Sequence, residues 1–286
     1  MLVYIWKSGQ SSQSLAGFLV VSQQRRLKIL EVIRQDGFAS LETLARELGV
    51  SESTVRRDVT VLDQNGKVRR THGGVLLTSS LPDNPHFRQH QTSAQAQKRA
   101  IARVAAEMVQ DRETVLLDGG STTYELGLRL MGRNLQIVTK SLPLANLFSR
   151  SESADLTLVG GHLHSRTGVM LGPVADKALE GLHCRWAFLS VAGLDAQHLY
   201  NDNQLLVQTE LAMMGAADKV VVLADSSKFG RKGMFPLCGW DRVHRVIVDH
   251  ELAAEWRSII SRSTELIVAE PEPSNGSDRN TQVRES

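Results

Sequence analysis

Apolar residues first recur at helical spacing over residues 23–34, where Leu27, Ile29, Leu30 and Ile33 precede a stop at Asp36-Gly37. A second, shorter face follows Ser40 through Leu41, Leu44, Ala45 and Leu48, and Gly49 closes it. A third face starts after Ser51, a candidate N-cap, and carries Val55, Val59 and Leu62 to Asn65-Gly66. Three helices joined by tight turns predict a helix-turn-helix. Residues 67–77 then read as two short strands with Gly73-Gly74 at or beside the turn, which is a wing.

Beyond this the pattern changes. Residues 78–97 carry Pro82 and Pro85 among Ser, Gln and Asn and read mostly as a linker. A helix at 94–109 leads to strand 114–117, a helix through Leu130, strand 135–138, helix 142–148 and strand 156–159. Helix 174–182, strand 187–191, helix 205–216 and strands 220–223 and 243–248 complete the series. Short β-rich runs alternating with helices predict an α/β domain with a mostly parallel sheet. The expected organisation is a disordered extension over 1–22, a winged helix-turn-helix over 23–78, a linker over 79–93, an α/β domain over 94–269 and a disordered tail over 270–286. The apolar stretches at 2–6 and 15–21 are separated by Lys7 and polar residues, and the second is too short to span a bilayer. A mis-started or disordered extension and a short interfacial anchor are both open readings there.

With a hydrophobic share of 42%, a charged share of 22% and a formal net charge of +2, composition excludes neither nucleic acid nor metabolite as partner, so local charge decides. Turning Val55, Val59 and Leu62 inward leaves Ser53, Arg57, Thr60 and Gln64 on the opposite face of the third helix, with Thr54 and Arg56 beside them. Arginine grips a guanine edge through two hydrogen bonds, and hydroxyls bond phosphate oxygens or base edges. The expected DNA-binding residues are Ser51, Ser53, Thr54, Arg56, Arg57 and Thr60 on the helix, with Arg69, Arg70 and His72 of the wing near the adjacent backbone or minor groove. The competing reading is a solvated arginine face paired with Asp58 and Asp63.

In the second domain Asp118-Gly119-Gly120-Ser121-Thr122-Thr123 joins a strand to a helix. Glycines admit close backbone approach, and helix-start amides with hydroxyls suit an anion such as phosphate; an ordinary strand-to-helix turn uses the same residues. Other predicted strand ends carry Lys140, Gly160-Gly161, Gly193 with Asp195, and Lys228. Ligands of open α/β sheets bind beyond the carboxyl ends of strands, so these residues are expected to converge on one crevice. Lys140 and Lys228 would neutralise a phosphate, and Asp118 and Asp195 would accept sugar hydroxyls.

Arg26-Leu27-Lys28-Ile29-Leu30, the run Ser51 to Asp58 and His72-Gly73-Gly74 together resemble the N-terminal signature of the DeoR family of bacterial transcriptional regulators. The strand-end motifs resemble that family's effector domain, which is similar in fold to ribose-5-phosphate isomerase. The resemblance spans residues 22–269 and implies a repressor of a carbohydrate operon, with operator double-stranded DNA and a phosphorylated sugar as partners. A homodimer or tetramer suits paired half-sites. The alternative is a sugar-phosphate isomerase with an appended DNA-binding module, using Asp195 or Asp118 as base. The isomerases' lysine- and glycine-rich segment is replaced here by Asp225-Ser226-Ser227-Lys228, which favours binding without turnover. Two cysteines, Cys184 and Cys238, fit a reducing cytoplasm and supply no disulfide framework. His162, His164, His183 and Cys184 close no tetrahedral metal set, no cofactor is expected, and Trp186, Trp240 and Trp256 read as packing residues.

Overall fold

The computed structural model describes residues 11–65, 67–71, 74–77 and 93–271. Helix α1 (Ser11–Asp36) begins earlier than the apolar pattern predicts. No proline interrupts residues 11–22, so helix propagation adds a hydrogen bond per residue back through them. The remainder of the expected extension, residues 1–10, lies outside the described residues, as do most of the linker and of the C-terminal tail.

Helix α2 (Leu41–Leu48) starts where the Ser40 hydroxyl accepts the Thr43 amide at 2.9 Å and ends at Gly49, whose φ of 63° is left-handed. Helix α3 (Glu52–Gln64) buries Val55, Val59 and Leu62 against Ile29, Ile33 and Leu44. Ser51 holds the N-cap position, but its hydroxyl bonds those of Ser53 and Thr54 instead of a helix amide. The wing strands β2 (Val68–Arg70) and β3 (Gly74–Leu77) are joined by an unpredicted strand, β1 (Phe38–Ser40), in the antiparallel order β1-β3-β2. Gly74 crosses Ala39 so closely that a Cβ would stand 2.2 Å from the Ala39 carbonyl oxygen. Three residues between two helices give too little alternation to announce β1 in the sequence.

Helix α4 (Gln95–Met108) opens the second domain. Strand β4 (Thr114–Leu117), helix α5 (Ser121–Leu130), β5 (Gln136–Thr139), α6 (Leu142–Phe148) and β6 (Asp155–Leu158) then step toward one edge of a sheet. A hairpin of β7 (His162–His164) and β8 (Val169–Leu171) and helix α7 (Pro173–Glu180) bring the chain back, and β9 (Cys184–Ser190) pairs on the other side of β4. Strands β10 (Gly193–Leu194) and β11 (His198–Asn201), helix α8 (Gln204–Gly215), β12 (Ala217–Leu223), β13 (Phe235–Gly239), β14 (Arg245–Asp249), α9 (Ala254–Ile260) and β15 (Glu265–Ala269) complete the described chain. Seven strands form a wholly parallel sheet in the order β15-β14-β12-β9-β4-β5-β6, and β10-β11-β13 form a separate antiparallel one.

Both faces of the parallel sheet are covered. Val115, Leu117, Ile137, Phe188, Val221 and Ile247 pack under α4, α5 and α6. Leu116, Val138, Ala187, Leu189, Val222 and Val246 pack with α7 and α8 on the other side. Continuous apolar runs in these strands reflect that two-sided burial. Strand order reverses between β4 and β9, which is the topological switch point where such sheets leave a crevice. The two domains also touch: Leu76 of β3 is buried in the core that contains Ile101 and Leu126, and Phe38 packs against it.

Candidate nucleic-acid interface and ligand cavity

Arg57 and Ser53 are exposed on α3 opposite its buried stripe, and Ser51 and Arg56 are exposed beside them, while Thr54 and Thr60 are half-buried. Asp58 is buried and takes Arg25 at 2.5 Å and Arg26 at 3.0 Å, both from α1. This clamp fixes α3 across α1 and uses the acid that the competing reading assigned to the helix arginines. Arg56 reaches Glu52 one turn away at 3.5 Å with both side chains exposed, a pairing worth little in water. Arg57 makes no ion pair among the described residues.

Successive residues of β2 point to opposite faces. Arg70 therefore turns to α3 and donates to the Thr60 hydroxyl at 3.1 Å, which keeps it at the proposed DNA face. Arg69, expected on DNA as well, turns to the second domain instead. Its guanidinium donates to both carboxylate oxygens of Glu125 on α5, at 2.7 and 2.5 Å, with 10% and 4% of the two side chains exposed. His72 lies outside the described residues.

At the β4/β9 switch point is a cavity of about 450 Å³. The loop from Asp118 to Thr122 lines one side of it. As at any helix start, the amides of Ser121, Thr122 and Thr123 have no carbonyl of their own helix behind them. Thr123 does not reach the cavity lining: its hydroxyl accepts from the Gly120 amide at 2.8 Å and donates to the Gly120 carbonyl at 2.9 Å, closing the turn. The glycines are set by packing. A Cβ on Gly119 would stand 2.0 Å from Val169, and one on Gly120 would stand 1.9 Å from the Ser190 hydroxyl.

Lys228 lines the cavity as expected. Its turn is fixed by Asp249, which accepts the Ser226 amide at 2.6 Å, and by Asp225, which accepts the Ser227 amide at 3.2 Å. Lys140 does not line it. Wholly buried beneath the loop, it pairs with Asp118 at 3.0 Å and is spent on that carboxylate, which also accepts the Ser190 amide and hydroxyl. Gly160 and Gly161 lie at the start of the β7/β8 hairpin, away from the lining, where Gly161 has a φ of 147°. Gly193 sits against the Arg231 backbone, 2.4 Å from a hypothetical Cβ. Asp195 closes its own loop: it accepts the Gln197 and His198 amides at 2.8 Å and the Tyr200 hydroxyl at 2.8 Å. Burial opposes its ionisation, but these donors outweigh that and hold its carboxyl down at about 2.

Several lining residues follow no strand that the sequence pattern predicts. The β7/β8 hairpin brings His164, Arg166 and Thr167 over the cavity, and the end of β11 brings Asn201, Asp202 and Asn203. Asn201 accepts the Ala192 amide at 3.0 Å and donates to Glu210 at 2.5 Å. Burial, with the Asp118 charge nearby, pushes the Glu210 carboxyl well above its ordinary value of 4.5, so it is held toward the neutral acid. Among the lining groups, Lys228, Arg166, Arg231 and the start of α5 suit an anion, and the amide and carboxyl groups suit hydroxyls.

Of the tryptophans, Trp240 donates to the Asp195 carbonyl at 3.0 Å, Trp186 to Glu113 at 2.8 Å, and Trp256 packs on Phe229. His164 bonds Thr167 at 2.8 Å, and no cluster of three metal-ligating side chains occurs among the described residues. No helix among those residues is long and apolar enough to cross a membrane.

Residues 25–81 match the family model described as a DeoR-like helix-turn-helix domain, and residues 93–250 match the DeoR C terminal sensor domain. The HTH-type transcriptional regulator UlaR of Shigella dysenteriae serotype 1 (strain Sd197) is 35% identical over 214 residues, covering 74% of this chain and 84% of the relative. UlaR of Escherichia coli (strain K12 / DH10B) gives the same identity and coverage, 35%, 74% and 84%. Ribose 5 phosphate isomerase A from Neisseria gonorrhoeae is 17% identical, covers 46% of this chain and 52% of its own, and superposes with a TM-score of 0.34.

Proposed function

Because the chain belongs to the DeoR family and is a DNA-binding transcriptional regulator, we propose that it represses a carbohydrate-metabolism operon under the control of a phosphorylated sugar or related intermediate. The observation that carries this reading is the cavity at the β4/β9 switch point, where Ser121, Thr122 and Lys228 face the same space. The phosphate lies at the start of α5, neutralised by Lys228, and the sugar hydroxyls meet Asn201, Asp202 and Asn203. Effector binding changes operator affinity only as far as it prefers one DNA-binding state to the other. A homodimer or tetramer acting in the cytoplasm places two recognition helices on paired half-sites.

The enzymatic alternative needs an ionised base beside the substrate. Asp195 is engaged in its own loop away from the lining, and Asp118 is paired with Lys140, so neither is offered to a reacting carbon. The relatives above carry the name of transcriptional regulators.

Two outcomes test the proposal on DNA from upstream of the gene and of neighbouring sugar genes. Arg57→Ala is expected to cost about 1–3 kcal/mol on the operator and to relax sequence preference, read by gel shift against specific and random duplexes. Equal loss on both duplexes would make Arg57 a phosphate contact. Lys228→Ala is expected to keep operator affinity while weakening the response to the active sugar phosphate about tenfold or more. An unchanged response across a panel of sugar phosphates would remove the cavity from regulation.

A further inference from the structure

A second cavity, of about 520 Å³, lies where the wing meets α4 and α5, apart from the first. Its charge is lopsided. Helix α4 contributes Arg99 and Arg103, the wing contributes Arg69 and Arg70, and Arg129 and Arg133 come from the end of α5 and just beyond it. Against these six arginines stand three carboxylates, Asp63, Glu107 and Glu125, a formal surplus of three positive charges.

The carboxylates do not absorb that surplus locally. Glu125 is taken on both oxygens by Arg69, and Glu107 is an exposed partner of Arg103 at 3.2 Å. Asp63 has one buried oxygen with no hydrogen-bond partner, and burial pushes its carboxyl up despite Arg69 and Arg70 nearby. Arg133 is used by the end of α4, donating to the Ala106 and Val109 carbonyls and pairing with Asp111. Arg99 has no ion pair among the described residues, whereas Arg103 also donates to the Glu270 carbonyl at 3.2 Å and has only its buried Nε without an acceptor. Clustered guanidinium groups in a partly enclosed space repel one another unless an anion enters. The occupant that relieves this repulsion has several oxygens and more than one negative charge.

We propose that this interdomain cleft is a second anion site, taking a small molecule with at least two linked phosphate groups between Arg99 and Arg103. Arginine forks match phosphate oxygens in pairs, and the volume admits a ligand of nucleotide size. The site is distinct from the cavity proposed for the sugar phosphate, with which it has no lining residue in common.

Inorganic pyrophosphate titrated into the DNA-free full chain, followed calorimetrically, is the test. Wild type and Lys228→Ala are expected to bind it alike, Arg99→Ala to bind it about tenfold or more weakly, and Arg99→Lys to recover part of the loss. Arg103→Gln supplies a second variant, and thermal midpoints without ligand check that each chain folds. Binding lost in Lys228→Ala but kept in Arg99→Ala would place the anion in the other cavity and overturn the proposal. So would unchanged pyrophosphate binding in both cleft variants with a shallower salt dependence of DNA affinity, which would assign the arginines to the operator backbone.

Discussion

Lys140→Ala is expected to destabilise the second domain by about 3–5 kcal/mol, as breaking one side of a buried ion pair does. Lys140 is fully buried and Asp118 is 4% exposed, so the alanine leaves a carboxylate with only the Ser190 amide and hydroxyl to solvate it. Glu210 already feels the Asp118 charge. Pairing the change with Asp118→Asn removes the stranded charge and is expected to recover most of the loss. Urea denaturation of the single and double variants measures both, and a single-variant loss below about 1 kcal/mol would mean that water reaches the pair.

Glu125→Ala is expected to cost a similar amount, about 3–5 kcal/mol, and to release the wing from the second domain. It strands Arg69, 10% exposed, beside five further arginines of the same cleft. Arg69→Ala should cost less. Burial already pushes the Glu125 carboxyl above its ordinary 4.5, with Arg69 the main opposing influence, so without the arginine it can take a proton instead of remaining charged. The folded chain then holds a proton that the unfolded chain has released, so stability of Arg69→Ala should fall as pH rises from about 4.5 toward neutrality. Denaturation across that range, with limited proteolysis between the domains, separates the two variants. Equal losses at neutral pH and no pH slope in Arg69→Ala would show that Glu125 is solvated by other means.

The elements legible in the sequence were those with long periodicity or unambiguous punctuation. Ser40 and Gly49 bracket α2, and Val55, Val59 and Leu62 mark the buried side of α3, because caps and helical faces are local properties. The parallel sheet was legible from its apolar runs, but β1, β10 and β11 were not, since Phe38-Ala39-Ser40, Gly193-Leu194 and His198-Leu199-Tyr200-Asn201 contain no such run. Strand β15 and helix α9 at the sheet's far end are likewise not among the elements the pattern predicts. In the cavity, Asp118 to Thr122 and Lys228 came together because each follows a strand of the same sheet. Lys140 follows one too, yet a strand-end position does not say whether a side chain points up to a ligand or down to a carboxylate. Arg69 and Glu125 are 56 residues apart, and nothing in either neighbourhood announces the other.

Helix α5 belongs to both ends of the molecule at once. Ser121 borders the cavity and Glu125, four residues later, grips the wing, a rise of about 6 Å along one rigid rod. A displacement of α5 at the cavity would therefore reach the DNA-binding domain without a relay of rearranging side chains. Tilting or sliding that single helix would move both contacts together, by leverage over about one turn instead of by communication across a domain.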